Sequence, residues 1–232
     1  MQKDKSGCLI IHGFGGGTYE IKALADYLGD HGYVTACPKL KGHTGIGRDM
    51  KNAGYKDWVA SAEEVLIKLK EKTGNIAIVG FSMGGLIAVN LACKYDIRAI
   101  VTINTPIYYW NIYRVCLNLL EDFKNKEANN FMRYIKAKQA SPIISMLNFL
   151  MLLNSTKSKL SNISCPFLIT QTKDDDTTRL KSANYIYDNI CSIDKKINIY
   201  EKGGHLVLNS PYKEKIIKDI EVFLNRSIEI YS

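Results

Sequence analysis

The stretch Gly80-Phe81-Ser82-Met83-Gly84 constrains this chain more than any other, because of what stands on either side of it. Asn75 to Val79 is a short apolar run rich in β-branched residues, and Gly85 to Cys93 reads as a buried helix. Strand, sharp turn and helix with a serine at the turn is the context of a nucleophile elbow. Such a turn strains the serine backbone and lifts its hydroxyl above the sheet edge. Glycines are required at both ends, since strand and helix approach too closely there for a Cβ.

Around this joint, short apolar runs alternate with amphipathic ones, the pattern of a mostly parallel sheet covered by helices. The 232 residues suit one α/β domain with an insertion, and 46% apolar residues supply a core. Strands are predicted at Gly7–His12, Tyr33–Cys37, Asn75–Gly80, Ile97–Ile103, Pro166–Thr172 and Lys196–Tyr200. Helices are predicted at Tyr19–His31, Tyr55–Thr73, Met83–Tyr95, Leu180–Ile190 and Tyr212–Arg226. In the second of these, Trp58, Ala62, Val65, Leu66 and Leu69 recur at helical spacing and face one way.

From Thr105 to Ser161 the alternation stops. The segment is helical in character, opens with Tyr108, Tyr109, Trp110 and Tyr113, and is too long for a simple connection. It reads as a cap over the sheet edge, spanning 107–160, with 1–106 and 161–232 forming the core. Its most apolar part runs from Ile143 to Leu153, too short to span a bilayer. No basic start precedes a long apolar stretch, so no signal peptide and a cytoplasmic location are expected.

The net charge of +8 is concentrated in this insertion, where residues 107–161 hold eight Lys and Arg against three acids. Those charges recur at helical spacings, so a solvated helix face is expected rather than a nucleic-acid or membrane surface. Six cysteines, none in a C-x-x-C pair and most inside apolar runs, are expected to be reduced packing residues. Neither zinc nor disulfides are expected.

An elbow serine needs a base within hydrogen-bond reach and a carboxylate to orient that base. Of the four histidines, at 12, 31, 43 and 205, only His205 follows both the elbow and a candidate acid. It sits in Lys202-Gly203-Gly204-His205, just past a predicted strand, where α/β sites gather. The acid is expected after strand Pro166–Thr172, where Asp174, Asp175 and Asp176 are consecutive and spacing alone does not choose. Acyl chemistry also needs oxyanion donors: the N–H of Met83, and one from the loop His12-Gly13-Phe14-Gly15-Gly16-Gly17, with Phe14 N–H the candidate. That loop fits neither G-x-G-x-x-G nor G-x-x-x-x-G-K-[ST], so a nucleotide site is not expected, and His12 reads as part of the loop's structure.

The chain resembles the α/β-hydrolase family, and within it the small bacterial carboxylesterase and monoacylglycerol lipase group. The resemblance rests on Leu9 to Gly16, Lys41-Gly42-His43, Asp57-Trp58, Gly80 to Gly85, Gly204-His205, and Pro166 to Asn184. It implies an acid at Asp175, the third residue after the strand and just past Lys173 and Asp174, with Asp174 as the alternative. Thr172 and Thr178 depart from that pattern, which usually has a small residue at the first position and an apolar one at the second. It further implies oxyanion donors at Phe14 and Met83, a small helical cap, an intracellular enzyme and no cofactor. The chain starts at the oxyanion-loop strand, so the antiparallel strands that open the family's sheet are expected to be missing.

The expected activity is hydrolysis of uncharged short- to medium-chain carboxylic esters, monoacylglycerols included, through an acyl-enzyme on Ser82. The expected partner is a small ester, with no nucleic acid and no stable membrane insertion; the basic, apolar cap leaves open a third reading, a lipase that docks transiently on a membrane surface. A thioesterase or acyltransferase would use the same triad, and a ligand-binding member of the fold would be betrayed by a broken one.

Overall fold

Four of the predicted strands lack alternation of apolar and polar residues, which implies that both faces of the sheet are covered. The computed structural model, which describes residues 5–108 and 143–229, has this arrangement. Its strands are β1 (Gly7–Ile11), β2 (Val34–Ala36), β3 (Ile76–Phe81), β4 (Ala99–Ile103), β5 (Phe167–Thr172) and β6 (Lys195–Tyr200). They are ordered β2-β1-β3-β4-β5-β6 and every neighbouring pair is parallel. β1, β3, β4 and β5 are buried at every residue, while β6 at the edge is only partly buried.

The helices are α1 (Lys22–Asp30), α2 (Gly47–Lys51), α3 (Tyr55–Lys72), α4 (Met83–Ala92), α5 (Ile143–Lys157), α6 (Lys181–Asn189) and α7 (Lys213–Glu229). Successive strand residues point to opposite faces, so the sheet feeds two cores. Leu9, Ile11, Ile78, Ile100 and Ile169 pack with α3, α4, α5 and α6. Cys8, Ile10, Val79, Val101 and Leu168 pack with α1 and α7. Strand order reverses between β1 and β3, and the crevice at such a switch point is where α/β sheets place ligands. Register aligns the strand ends on that side: Ile11 pairs with Gly80, Phe81 with Ile103, and Thr172 with Tyr200.

The predicted elements are present with shifted ends. The first helix is split, with a 3-10 turn at Thr18–Glu20 before α1. Met83–Tyr95 stops at Ala92, because Lys94 and Tyr95 both turn their N–H groups back to the Leu91 carbonyl. The last helix runs to Glu229 and keeps Ile228 buried. α2 was not predicted; five residues are too few to show a helical period. Along α3, Trp58, Val59, Ala62, Leu66 and Leu69 are buried and Val65 is partly so.

Of the insertion, residues 109–142 lie outside the described residues, and with them Tyr109, Trp110, Tyr113, Cys116 and most of its charged residues. The described part is dominated by α5, whose Phe149, Leu152 and Leu153 are core residues while Ile144, Leu147 and Met151 are more than half exposed. Polar bonds fasten α5 along its length. Ser145 Oγ donates to the Met50 carbonyl at 3.1 Å, and Tyr55 N–H donates to Asn148 Oδ1 at 3.1 Å. Asn90 of α4 donates to Thr156 Oγ1 at 2.8 Å and accepts from Lys159 Nζ. No helix among the described residues is long and apolar enough to cross a membrane.

The cysteine expectation needs one correction. Cys8, Cys37, Cys93, Cys165 and Cys191 are all free thiols, but Cys93 and Cys191 are exposed rather than buried. Each stands just past the end of a helix, Cys93 capping α4 and Cys191 following α6.

The Asn90 bonds predict that Asn90→Ala lowers stability by about 1–3 kcal/mol, because it leaves buried polar partners unsatisfied. Urea unfolding of the variant against the wild-type protein measures this.

Candidate active site

Ser82 stands between the last residue of β3 and the first of α4, with φ 52° and ψ −120°. A non-glycine residue at positive φ is strained, and the surroundings enforce it. Ser82 N–H donates to the Ile103 carbonyl at 2.7 Å, and the Ser82 carbonyl accepts from Gly85 N–H at 3.0 Å and Thr105 Oγ1 at 3.1 Å. The flanking glycines admit this close approach: a Cβ on Gly80 would lie 2.3 Å from Gly85 N, and one on Gly84 would lie 2.2 Å from the Ile11 carbonyl oxygen.

His205 reaches this hydroxyl from the loop after β6. Its Nε2 is 3.0 Å from Ser82 Oγ and its Nδ1 is 2.8 Å from Asp175 Oδ2. A carboxylate only accepts, so the Nδ1 proton faces Asp175 and Nε2 is left to accept the serine proton. Asp175 is almost completely buried, and its Oδ1 accepts from Thr177 N–H and Thr178 N–H, both at 2.8 Å. Gln171 Nε2 approaches Oδ2 at 3.4 Å. Burial alone pushes the His205 imidazole down. The nearby Asp175 carboxylate, helped by Asp176 and Glu20, outweighs that and holds its pKa above the ordinary 6.5.

The three aspartates are divided among different partners. Asp174 accepts from Gly204 N–H at 2.8 Å and Gly203 N–H at 3.1 Å, so it shapes the histidine loop rather than touching the imidazole. Asp176 Oδ1 accepts from Thr177 Oγ1 at 3.1 Å.

Phe14 lies in the loop after β1, and Met83 is the first residue of α4, where a backbone N–H has no acceptor within the helix. The two loops abut, since a Cβ on Gly13 would stand 3.2 Å from Ser82 Cβ. His12 holds the first loop: its Nδ1–H donates to the Gly13 carbonyl at 2.9 Å and its Nε2 accepts from Leu40 N–H at 3.4 Å. Both nitrogens are engaged, and burial pushes its pKa down. Phe14 packs in an aromatic group with Trp58, Phe149 and His43 at ring distances of 5.7, 5.4 and 6.2 Å. His43 is held neutral in this group, pushed down to about 4 by burial and by His12.

Asn104 was not anticipated from the sequence. Fully buried at φ 48°, it links three loops. Its Nδ2 donates to the Gly204 carbonyl at 3.0 Å and the His205 carbonyl at 2.9 Å, and its Oδ1 accepts from Thr172 N–H at 2.9 Å. The two threonines that depart from the family pattern join this network. Thr172 Oγ1 donates to the Gly204 carbonyl at 2.8 Å, and Thr178 Oγ1 to the Asn104 carbonyl at 3.0 Å. The one available signal was an asparagine directly after a buried strand, a residue type tolerant of positive φ.

The hydrolase family described as "Serine aminopeptidase, S33" matches residues 2–142. A thermostable monoacylglycerol lipase of a Bacillus species is 30% identical, with 97% of this chain and 90% of that protein aligned. A carboxylesterase of Bacillus subtilis is 25% identical over 94% of this chain and 92% of its own length. Among solved structures, one of metagenome-derived lipolytic enzymes superposes with a TM-score of 0.80 at 21% identity, covering 96% of this chain and 94% of its own. A monoglyceride lipase of Saccharomyces cerevisiae gives 0.67 at 19%, covering 98% and 88%. The fold is that of an esterase- and lipase-like α/β-hydrolase. Within that class, the chain belongs to the family described as "Serine aminopeptidase, S33".

The Asn104 network predicts that Asn104→Gly, which relieves the positive φ but removes every side-chain bond, lowers kcat by about 10- to 100-fold with KM little changed. Misplacing a reacting group by about 1 Å costs up to about 100-fold. Steady-state kinetics on any turned-over ester measures it.

Proposed function

We propose that the protein is a serine carboxylesterase working through an acyl-enzyme on Ser82. The observation that carries this reading is the unbroken chain from Ser82 Oγ to His205 to Asp175, at 3.0 and 2.8 Å, on a strained turn. His205 Nε2 takes the Ser82 proton as Oγ attacks the ester carbonyl, then gives it to the departing alcohol. Asp175 keeps the imidazole in the right tautomer and balances its charge. Met83 N–H and Phe14 N–H stabilise the oxyanion. A water deprotonated by His205 then attacks the acyl group and frees Ser82. Asp174 is assigned to the loop, not to the imidazole, because its oxygens serve Gly203 and Gly204.

The substrates proposed are uncharged short- to medium-chain esters, monoacylglycerols among them. Support comes from the names of the two Bacillus relatives and from the apolar side chains beside the oxyanion loop, Phe149 foremost. The proposed cap, residues 107–160, would choose the acyl chain and leave the chemistry to the core.

Ser82→Ala is expected to abolish ester hydrolysis in a folded protein, and a fluorophosphonate should label the wild-type protein once and this variant not at all. Turnover by folded Ser82→Ala protein would overturn the mechanism, and a profile across esters, thioesters and aminoacyl amides separates the leaving groups. Asp175→Asn should cost about four orders of magnitude in kcat, far more than Asp174→Asn or Asp176→Asn.

The raised pKa of His205 sets the pH dependence. The base must be neutral, so kcat/KM should fall as pH drops through a midpoint above 6.5. A pH–rate profile with its midpoint clearly below that value would contradict the carboxylate environment described for His205.

A further inference from the structure

Glu20 is a buried carboxylate, 8% exposed, placed beside the nucleophile. It ends the 3-10 turn before α1, and its side chain folds back over the glycine loop. Its Oε2 accepts from Gly13 N–H at 3.0 Å, and its own backbone N–H donates to the Gly17 carbonyl at 3.0 Å. Both ends of the segment carrying Phe14 are therefore held by one residue. The loop is cut to fit it: a Cβ on Gly16 would lie 2.1 Å from Oε2 and 2.2 Å from Oε1. The carboxylate also lies close to the elbow, because a Cβ on Gly13 would touch Oε2 at 3.3 Å and Ser82 Cβ at 3.2 Å.

We infer that Glu20 is a positioning residue of this site, clamping the Gly13–Gly17 loop so that Phe14 N–H meets the oxyanion. The inference rests on the serine mechanism proposed above. Oxyanion stabilisation depends on donors fixed before the charge develops, and a loop with four glycines in five residues has little stiffness of its own. The buried carboxylate on Gly13 N–H and the Glu20 N–H on the Gly17 carbonyl supply that stiffness.

The test compares Glu20→Ala, Glu20→Gln and Ser82→Ala with the wild-type protein. Removing an oxyanion donor outright costs about 100- to 1,000-fold in kcat. Glu20→Ala, which only loosens one, should lose about 10- to 100-fold in kcat with KM changed less than about threefold. Its Gly13 amide should exchange faster with deuterium while the strands keep their protection. Glu20→Gln keeps an oxygen for Gly13 N–H and should recover to within about fivefold of wild type. Wild-type kcat and amide exchange in folded Glu20→Ala would overturn the clamp. Amide exchange reads the clamp without any reaction. Activity surviving in Ser82→Ala would instead refute the serine mechanism, so the two failures are distinct.

Discussion

The backbone of Ser82 is held where a non-glycine residue does not rest unaided. The rest of the site is arranged around that constraint. Ser82 N–H is tied to β4, its carbonyl is tied to Gly85 and Thr105, and glycines at 80 and 84 let β3, α4 and β1 close around it. The turn aims Oγ across the strand ends instead of into the sheet. His205 can meet it only because β6 lies at the far end of a register that brings Thr172, Ile103 and Phe81 into line. A slip of one residue in any of these parallel pairs would turn every side chain of that strand to the other face.

Around this centre, backbone amides and carboxylates meet repeatedly. Asp175 accepts from Thr177 and Thr178, Asp174 from Gly203 and Gly204, and Glu20 from Gly13. Each pins a loop that has little apolar burial of its own. Asn104 does the same with a neutral side chain, bracing the loop of His205 against β5. Such fixed dipoles keep a site in shape without reorganisation as charge develops. On the outer side, the same loop region packs Phe14 against Trp58 and Phe149, which couples α5 to the elbow's surroundings.

Much of this was legible in the sequence. Four of the six strands were short apolar runs, and buried parallel strands can be recognised by the lack of alternation. Ser82 stood out because glycine spacing around a turn is a steric demand, and His205 because only one histidine followed both the elbow and the candidate acids. Among Asp174, Asp175 and Asp176, the residues themselves did not choose; the resemblance favoured Asp175, and the structure puts its carboxylate on the imidazole. Side-chain direction in a turn depends on loop dihedrals, which three identical residues do not encode. Glu20 and Asn104 were invisible for a different reason. One looked like an acid in an amphipathic helix and the other like a polar residue after a strand, and their importance comes from contacts with segments distant in the chain. α2 was missed because so short a helix has no period.

The central claim is that Ser82 becomes acylated, and rapid-quench kinetics with a chromogenic ester measures that step directly. The account predicts a burst of alcohol equal to the enzyme concentration whenever deacylation is the slower step. It also predicts a mass increase of one acyl group on the peptide containing Ser82. An active enzyme with the acyl group on another residue, or with no trapped acyl-enzyme under conditions where the burst is seen, would contradict it.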